Sequence, residues 1–285
     1  MNLTYPVMST FIKYPVSSTK INVNKLISKK MGYFSSEEKI YDVINEELGL
    51  NSRRHPLAFL LEAADDIAYL TADIEDAHHK GIISMRSIEE YFKTCENDEL
   101  VATVIKSMKE YKLKAENMNY NDIENYVIHR TRVLIKGLMI DAVHSAFDEH
   151  YESIMRGTFD SELIDVSCAS KIANILRRIE KNEIYYSPQI LKNKTKAFSV
   201  LKKLLETYIP AVVNWNKNVD FGKDTSNNLL YQSISKNYRY ICENANNKAQ
   251  DESEVIYNKL LLVTDQISGM TDTHALSVYK TITAN

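Results

Sequence analysis

An all-α fold is predicted by three features of this 285-residue chain. Seven glycines and five prolines leave few turns. Leu, Ile, Lys, Glu and Ala dominate between them, which favours long helices. Alternating β-branched runs of strand length are nearly absent; "YPVMSTFIKYPV" is the nearest case, and its two prolines make it a poor ladder member.

Residues 1–34 read as a short helix or irregular lead-in punctuated by Pro6 and Pro15. In "SSEEKIYDVINEELGL", Ser35 or Ser36 is an N-cap with Glu38 in capping-box range. Ile40, Val43, Ile44 and Leu48 then recur at helical spacing, and Gly49 stops the run. "NSRRHP" turns the chain, and Pro56 suits the first turn of a long helix ending near Gly81. Further amphipathic helices are expected at about 85–95, 97–112, 120–155, 160–181, 188–208, 227–247 and 252–268. Gly269 with "MTD" reads as a helix stop followed by an N-cap at Thr271 or Asp272. The Asn-rich stretch 214–228 is the expected joint, dividing the chain into a region 1–213 and a C-terminal helical region 229–285.

With 44% apolar and 26% charged residues and a formal charge of -3, the chain is neither disordered nor a strongly basic nucleic-acid binder. Cys95, Cys168 and Cys242 are far apart and show no CxxC spacing, which fits reduced thiols in a cytoplasmic protein. No segment approaches the ~18 apolar residues of a membrane helix, so no membrane partner is expected. P-loop, HExxH and GxSxG patterns are absent.

The stretch "HPLAFLLEAADDIAYLTADIEDAHHKG", residues 55–81, raises the sharpest question. It is about half apolar, yet holds six carboxylates and no Lys or Arg before Lys80. On a helical wheel Leu60, Ala63, Ile67, Leu70, Ile74 and Ala77 form one stripe, and Leu57, Leu61, Ala64, Ala68 and Ala72 broaden it past half the circumference. Such a helix is expected to be buried. Glu62, Asp65, Tyr69, Asp73 and Asp76 share the remaining arc, with like charges on adjacent turns. Three remedies are open: a basic residue from another helix, shared protons, or a divalent metal on oxygen ligands.

"RRHPLAFLLEAADDIAYLTADIEDA" closely resembles the signature helix of dGTP triphosphohydrolases, within the HD-domain phosphohydrolase superfamily. "LTYPVMSTFIKYP" and "KMGYFSSEEKIYDVINEELGL" upstream, and "ISGMTDTHALSVYK" downstream, resemble other segments of that family in the same order. The resemblance implies a multi-helix HD-domain-like bundle that hydrolyses a deoxynucleoside triphosphate to deoxynucleoside and tripolyphosphate with Mg²⁺ or Mn²⁺. By that resemblance Asp65 is the late metal-binding aspartate, Tyr69 and Asp73 read the sugar 3'-hydroxyl, and Lys13 in "FIKYP" contacts the triphosphate. It also implies a homo-oligomer, with single-stranded nucleic acid a lesser candidate partner. One departure stands out: none of the seven histidines is followed by Asp, so the family's His and His-Asp metal ligands are missing. The chain therefore resembles the C-terminal part of such an enzyme, expected to hydrolyse little by itself. The alternative is a non-catalytic helical assembly or nucleotide-sensing module that has lost the metal dyad.

Locally, His78 and His79 read as solvated histidines at a helix C-terminus; neighbours ~100° apart on a helix do not share one ion. Arg130 and Arg132 read as interhelical ion-pairing residues, and the Lys-rich runs "KSMKEYKLK" and "LKNKTKAFSVLKK" as amphipathic helix surfaces.

Overall fold

The computed structural model describes residues 2–216, 219, 222, 223 and 225–283. Among them are thirteen α-helices and no strand: α1 Tyr5–Thr10, α2 Glu38–Glu47, α3 Pro56–His79, α4 Met85–Lys93, α5 Glu99–Asn117, α6 Ile123–Met155, α7 Leu163–Val166, α8 Ser170–Ile179, α9 Pro188–Asn214, α10 Ser226–Ser233, α11 Lys236–Asn246, α12 Glu252–Ser268 and α13 Asp272–Thr283. The all-α expectation holds.

The chain forms two compact units, Met1–Ser187 and Pro188–Asn285. The stretch 214–228 thus falls inside the second unit instead of joining two regions, and residues 217, 218, 220, 221 and 224 of it lie outside the described residues. The physical reason is α9: its Val200, Leu204, Tyr208 and Val212 are the floor on which Tyr231, Leu262 and Val263 pack. Residues 229–285 share a single core with it.

In the first unit α3 and α5 both lie along α6, while α8 packs on α3 and α4. Phe92, Val101, Val104, Val127, Met139, Ile172 and Ile179 are fully buried between them. Side chains cap the starts of these helices: Ser84 accepts from the Ser87 N–H, Asp98 from Leu100 and Val101, and Asp122 from Asn125. His55 does the same for α3, its Nδ1 accepting the Leu57 N–H at 3.2 Å. At the other end Gly81, at φ +68°, turns the chain back so that the amide of Ile82 reaches the carbonyl of Ala77.

Several boundaries differ from expectation for local reasons. The 160–181 run breaks after Val166, where Ser167 is extended and its hydroxyl caps the Ile164 carbonyl; after Ile179 the chain continues as a π-turn, Glu180–Ile184. The 227–247 run breaks at Ile234, which is extended and buried in the second core. Helix α9 runs on past 208 to Asn214 with Pro210 inside it. A 3-10 turn, Ser35–Glu37, precedes α2, and Glu37 rather than Glu38 accepts the backbone N–H of Phe34.

Candidate functional site

Helix α3 buries one side only. Ala63, Ile67, Leu70, Ile74 and Ala77 enter the core as the wheel predicts; Leu60 is half-buried, and Phe59, which the wheel does not assign, is buried beside it. Leu57, Leu61, Ala64 and Ala68, expected to broaden the buried stripe, are exposed. Helices α6, α8, α7 and α1 and the turn Glu180–Ile184 pack on α3, and their packing leaves the arc of Leu57, Leu61, Ala64 and Ala68 exposed. Asp65 and Tyr69 lie on this open arc, Tyr69 being 64% exposed, and Asp73 is half-buried at its edge.

Cations from other helices neutralise most of the acids. Lys13 pairs with Glu62. Arg177 of α8 binds Asp66 at 3.0 Å and Asp165 at 2.5 Å. Glu75, buried between α3 and α6, is held by Arg132 and by His129, whose Nδ1 lies at 2.9 Å. Burial alone would raise the Glu75 carboxyl; the His129 hydrogen bond and the Arg132 charge overcome that and hold it below the usual range. Asp76 has Lys80 one turn away at 3.7 Å. Among the described residues Asp65 and Asp73 alone of the six carboxylates have no ion pair. The two acids left uncompensated are the two that the resemblance assigns to metal and sugar.

Asp73 faces a second acid. Burial, then the Asp76 charge, push Asp73 above the usual carboxylate range, with Lys80 opposing. Glu180, buried on the π-turn after α8, is also pushed up, chiefly by burial and further by Asp73. The Tyr185 hydroxyl donates to Glu180 at 3.0 Å, and burial with the Glu180 charge pushes that phenol up to about 12. Neither Glu180 nor Tyr185 is marked by the amphipathic periodicity of the sequence; the signal is the π-turn that carries Glu180, and it is visible in the backbone.

Lys13 is half-buried and already engaged by Glu62, with burial lowering its ammonium pKa. Its backbone carbonyl accepts from Arg54 Nε at 2.9 Å, and Arg54, buried, also binds Glu162 at 3.1 Å. This fixes Lys13 beside the first turns of α3. Lys13, Asp65, Tyr69 and Asp73 therefore follow one another along the rod, with Tyr69 ~6 Å and Asp73 ~12 Å from Asp65 along the axis at the usual rise. Arg132 is the interhelical partner expected of it, and Arg130 lies over the Tyr111 ring at 5.6 Å. His79 is exposed, whereas His78, expected to be solvated, is largely buried.

A resident divalent metal does not fit this face as it stands. Asp65 supplies one carboxylate, and among the described residues no three His, Cys, Asp or Glu side chains converge on a point that would hold an ion.

No protein-family model matches the chain. A deoxyguanosinetriphosphate triphosphohydrolase-like protein of Listeria monocytogenes is 36% identical over 281 residues, covering 98% of this chain and 60% of the relative. The chain is homologous to dGTP triphosphohydrolase-like proteins. The deoxyguanosinetriphosphate triphosphohydrolase of Salmonella arizonae is 28% identical over 313 residues, and a dGTP triphosphohydrolase-like protein of Synechocystis 26% over 293. The chain spans about 60% of the length of these relatives. Its all-helical fold agrees with that kinship, and no described helix is long and apolar enough to cross a membrane.

Proposed function

We propose that this chain is the substrate-orienting part of a deoxynucleoside triphosphate triphosphohydrolase, with α3 as its recognition rod. The single observation carrying this reading is the pair of uncompensated acids: Asp65 and Asp73 stay unpaired although the fold brings a cation to Glu62, Asp66 and Glu75. An unpaired carboxylate beside its own kind is unfavourable, and a ligand that supplies positive charge or a hydroxyl donor offsets it. On this reading the Asp73 carboxylate accepts from, and the Tyr69 hydroxyl donates to, a sugar hydroxyl held two turns and one turn along the rod from Asp65. Asp65 would be one of several ligands to a divalent ion, whose Lewis acidity is what phosphoester hydrolysis of this type requires. The described residues do not complete that ligand set, so no hydrolytic step is assigned to them alone.

The exposed Leu57, Leu61, Ala64 and Ala68 give the same arc an apolar surface suited to cover by further protein. The test is a chimera in which this chain replaces the matching three-fifths of the Listeria monocytogenes relative. Release of tripolyphosphate from dGTP with Mg²⁺ or Mn²⁺ is expected, abolished by Asp65→Ala and retained in Asp66→Ala. Equal loss in both variants would show that the register on α3 is wrong. A folded chimera that binds dGTP and never turns it over favours the nucleotide-sensing alternative.

A further inference from the structure

Helix α1 turns its polar side inward. Ser9 is buried, while Val7 and Phe11, one helical turn apart, are exposed, Phe11 to 63%. That reverses the usual pattern of a helix resting on a core in water. The neighbouring α2 also shows apolar side chains outward: Tyr41 and Ile44 are buried, and Ile40 and Val43 stand exposed one turn apart. Between the two helices runs a groove of about 300 Å³ lined by Leu3, Phe11, Tyr33, Ile40 and Ile44, and Glu37 is the only charged side chain among the described residues that line it. Its floor is fixed. Tyr33 stacks on Tyr41 with ring centroids 4.1 Å apart, and the Tyr41 hydroxyl donates to the Pro15 carbonyl at 3.1 Å. The Gly32 amide donates to the Val16 carbonyl at 3.0 Å, and a Cβ placed on Gly32 would collide with the Tyr14 carbonyl oxygen. A preformed apolar groove binds with little ordering cost.

Two observations point to the occupant. The chain accounts for 60% of the Listeria monocytogenes relative, so about two-fifths of that protein has no counterpart in it. The groove also adjoins the recognition rod: α1 packs on α3, and Lys13, two residues beyond Phe11, pairs with Glu62, one turn before Asp65. A polypeptide seated on α1 and α2 is thereby brought to the rod whose ligand set is incomplete. We infer that the groove between α1 and α2 is the docking surface for a polypeptide homologous to the unmatched two-fifths of these relatives. The inference rests on the reading of α3 as part of a triphosphohydrolase. Burial of Val7, Phe11, Ile40 and Val43 drives the association, with Phe11 as its aromatic anchor.

The experiment compares the full chain with the chimera described above, without nucleotide or metal. Phe11→Ser and Val43→Ser alter exposed side chains, so the melting temperature of the full chain is expected to stay the same. In the chimera both substitutions lower it, whereas Leu113→Ser, on the exposed face of α5, changes neither protein. In a second measurement the unmatched two-fifths of the relative is made as a separate polypeptide and titrated into the full chain by calorimetry. Saturable one-to-one binding is expected, weakened about tenfold or more by Phe11→Ser. A chimera whose melting ignores Phe11→Ser and Val43→Ser overturns the inference, whether or not the separate polypeptide folds. So does binding undiminished by Phe11→Ser, or self-association of the full chain that this substitution abolishes, which makes a second copy the occupant. Tripolyphosphate release is read separately: its absence, with the melting differences intact, overturns the hydrolase reading alone.

Discussion

Single residues of α3 divide into those whose loss weakens the fold and those whose loss does not. Asp65 touches no cation among the described residues, so Asp65→Asn is expected to leave the melting temperature unchanged. Asp73→Asn is expected to raise it at neutral pH, because burial already disfavours the charged carboxylate there. Asp66→Ala breaks a partly exposed pair with Arg177 and should lower stability by only ~0.5–1 kcal/mol. Arg132→Met leaves the buried Glu75 with His129 as its remaining partner and should cost up to about 3 kcal/mol. Thermal melts of the four variants check the order. Glu75 also sets a pH dependence. Its folded carboxyl sits below the usual range, so its contribution is present above the unfolded pKa near 4.5 and is lost as pH falls through the lower folded value. The difference in melting temperature between the parent chain and Glu75→Gln should therefore shrink on acidification; a difference that grows contradicts the ion pair.

At the scale of elements, the start and stop of α3 were legible: Pro56 and Gly81 bracket it, and the backbone at Gly81 is left-handed. Nothing lies within 4 Å of a Cβ placed on Gly81, so Gly81→Ala tests the backbone alone and should cost about 1 kcal/mol. A melt showing no change would mean that this turn relaxes freely. The breaks at Ser167 and Ile234 were not legible, because each depends on a tertiary demand, a local carbonyl cap in one case and burial of one isoleucine in the other. The width of the buried stripe on α3 was misjudged for a related reason. Leucine and alanine at positions 57, 61, 64 and 68 look like core on a wheel, and periodicity carries no information about which neighbour is at hand to cover them.

For the whole molecule, the first unit holds its own core from Phe59 to Ile184. Residues 1–187 expressed alone should unfold in one cooperative transition with helical circular dichroism, whereas 229–285 alone, lacking α9, should not fold. The candidate site was legible in sequence only as an arc of oxygens: spacing placed Asp65, Tyr69 and Asp73 together, while the cations that silence Glu62, Asp66 and Glu75 come from residues up to 111 positions away. That selective neutralisation is what singles out Asp65 and Asp73. The most direct measurement compares equilibrium binding of dGTP and its 2',3'-dideoxy analogue to the full chain with Mn²⁺ present. Tighter binding of dGTP, with the difference erased by Asp73→Asn, is the expected result; equal or absent binding of the two nucleotides, or a difference that survives the substitution, contradicts it.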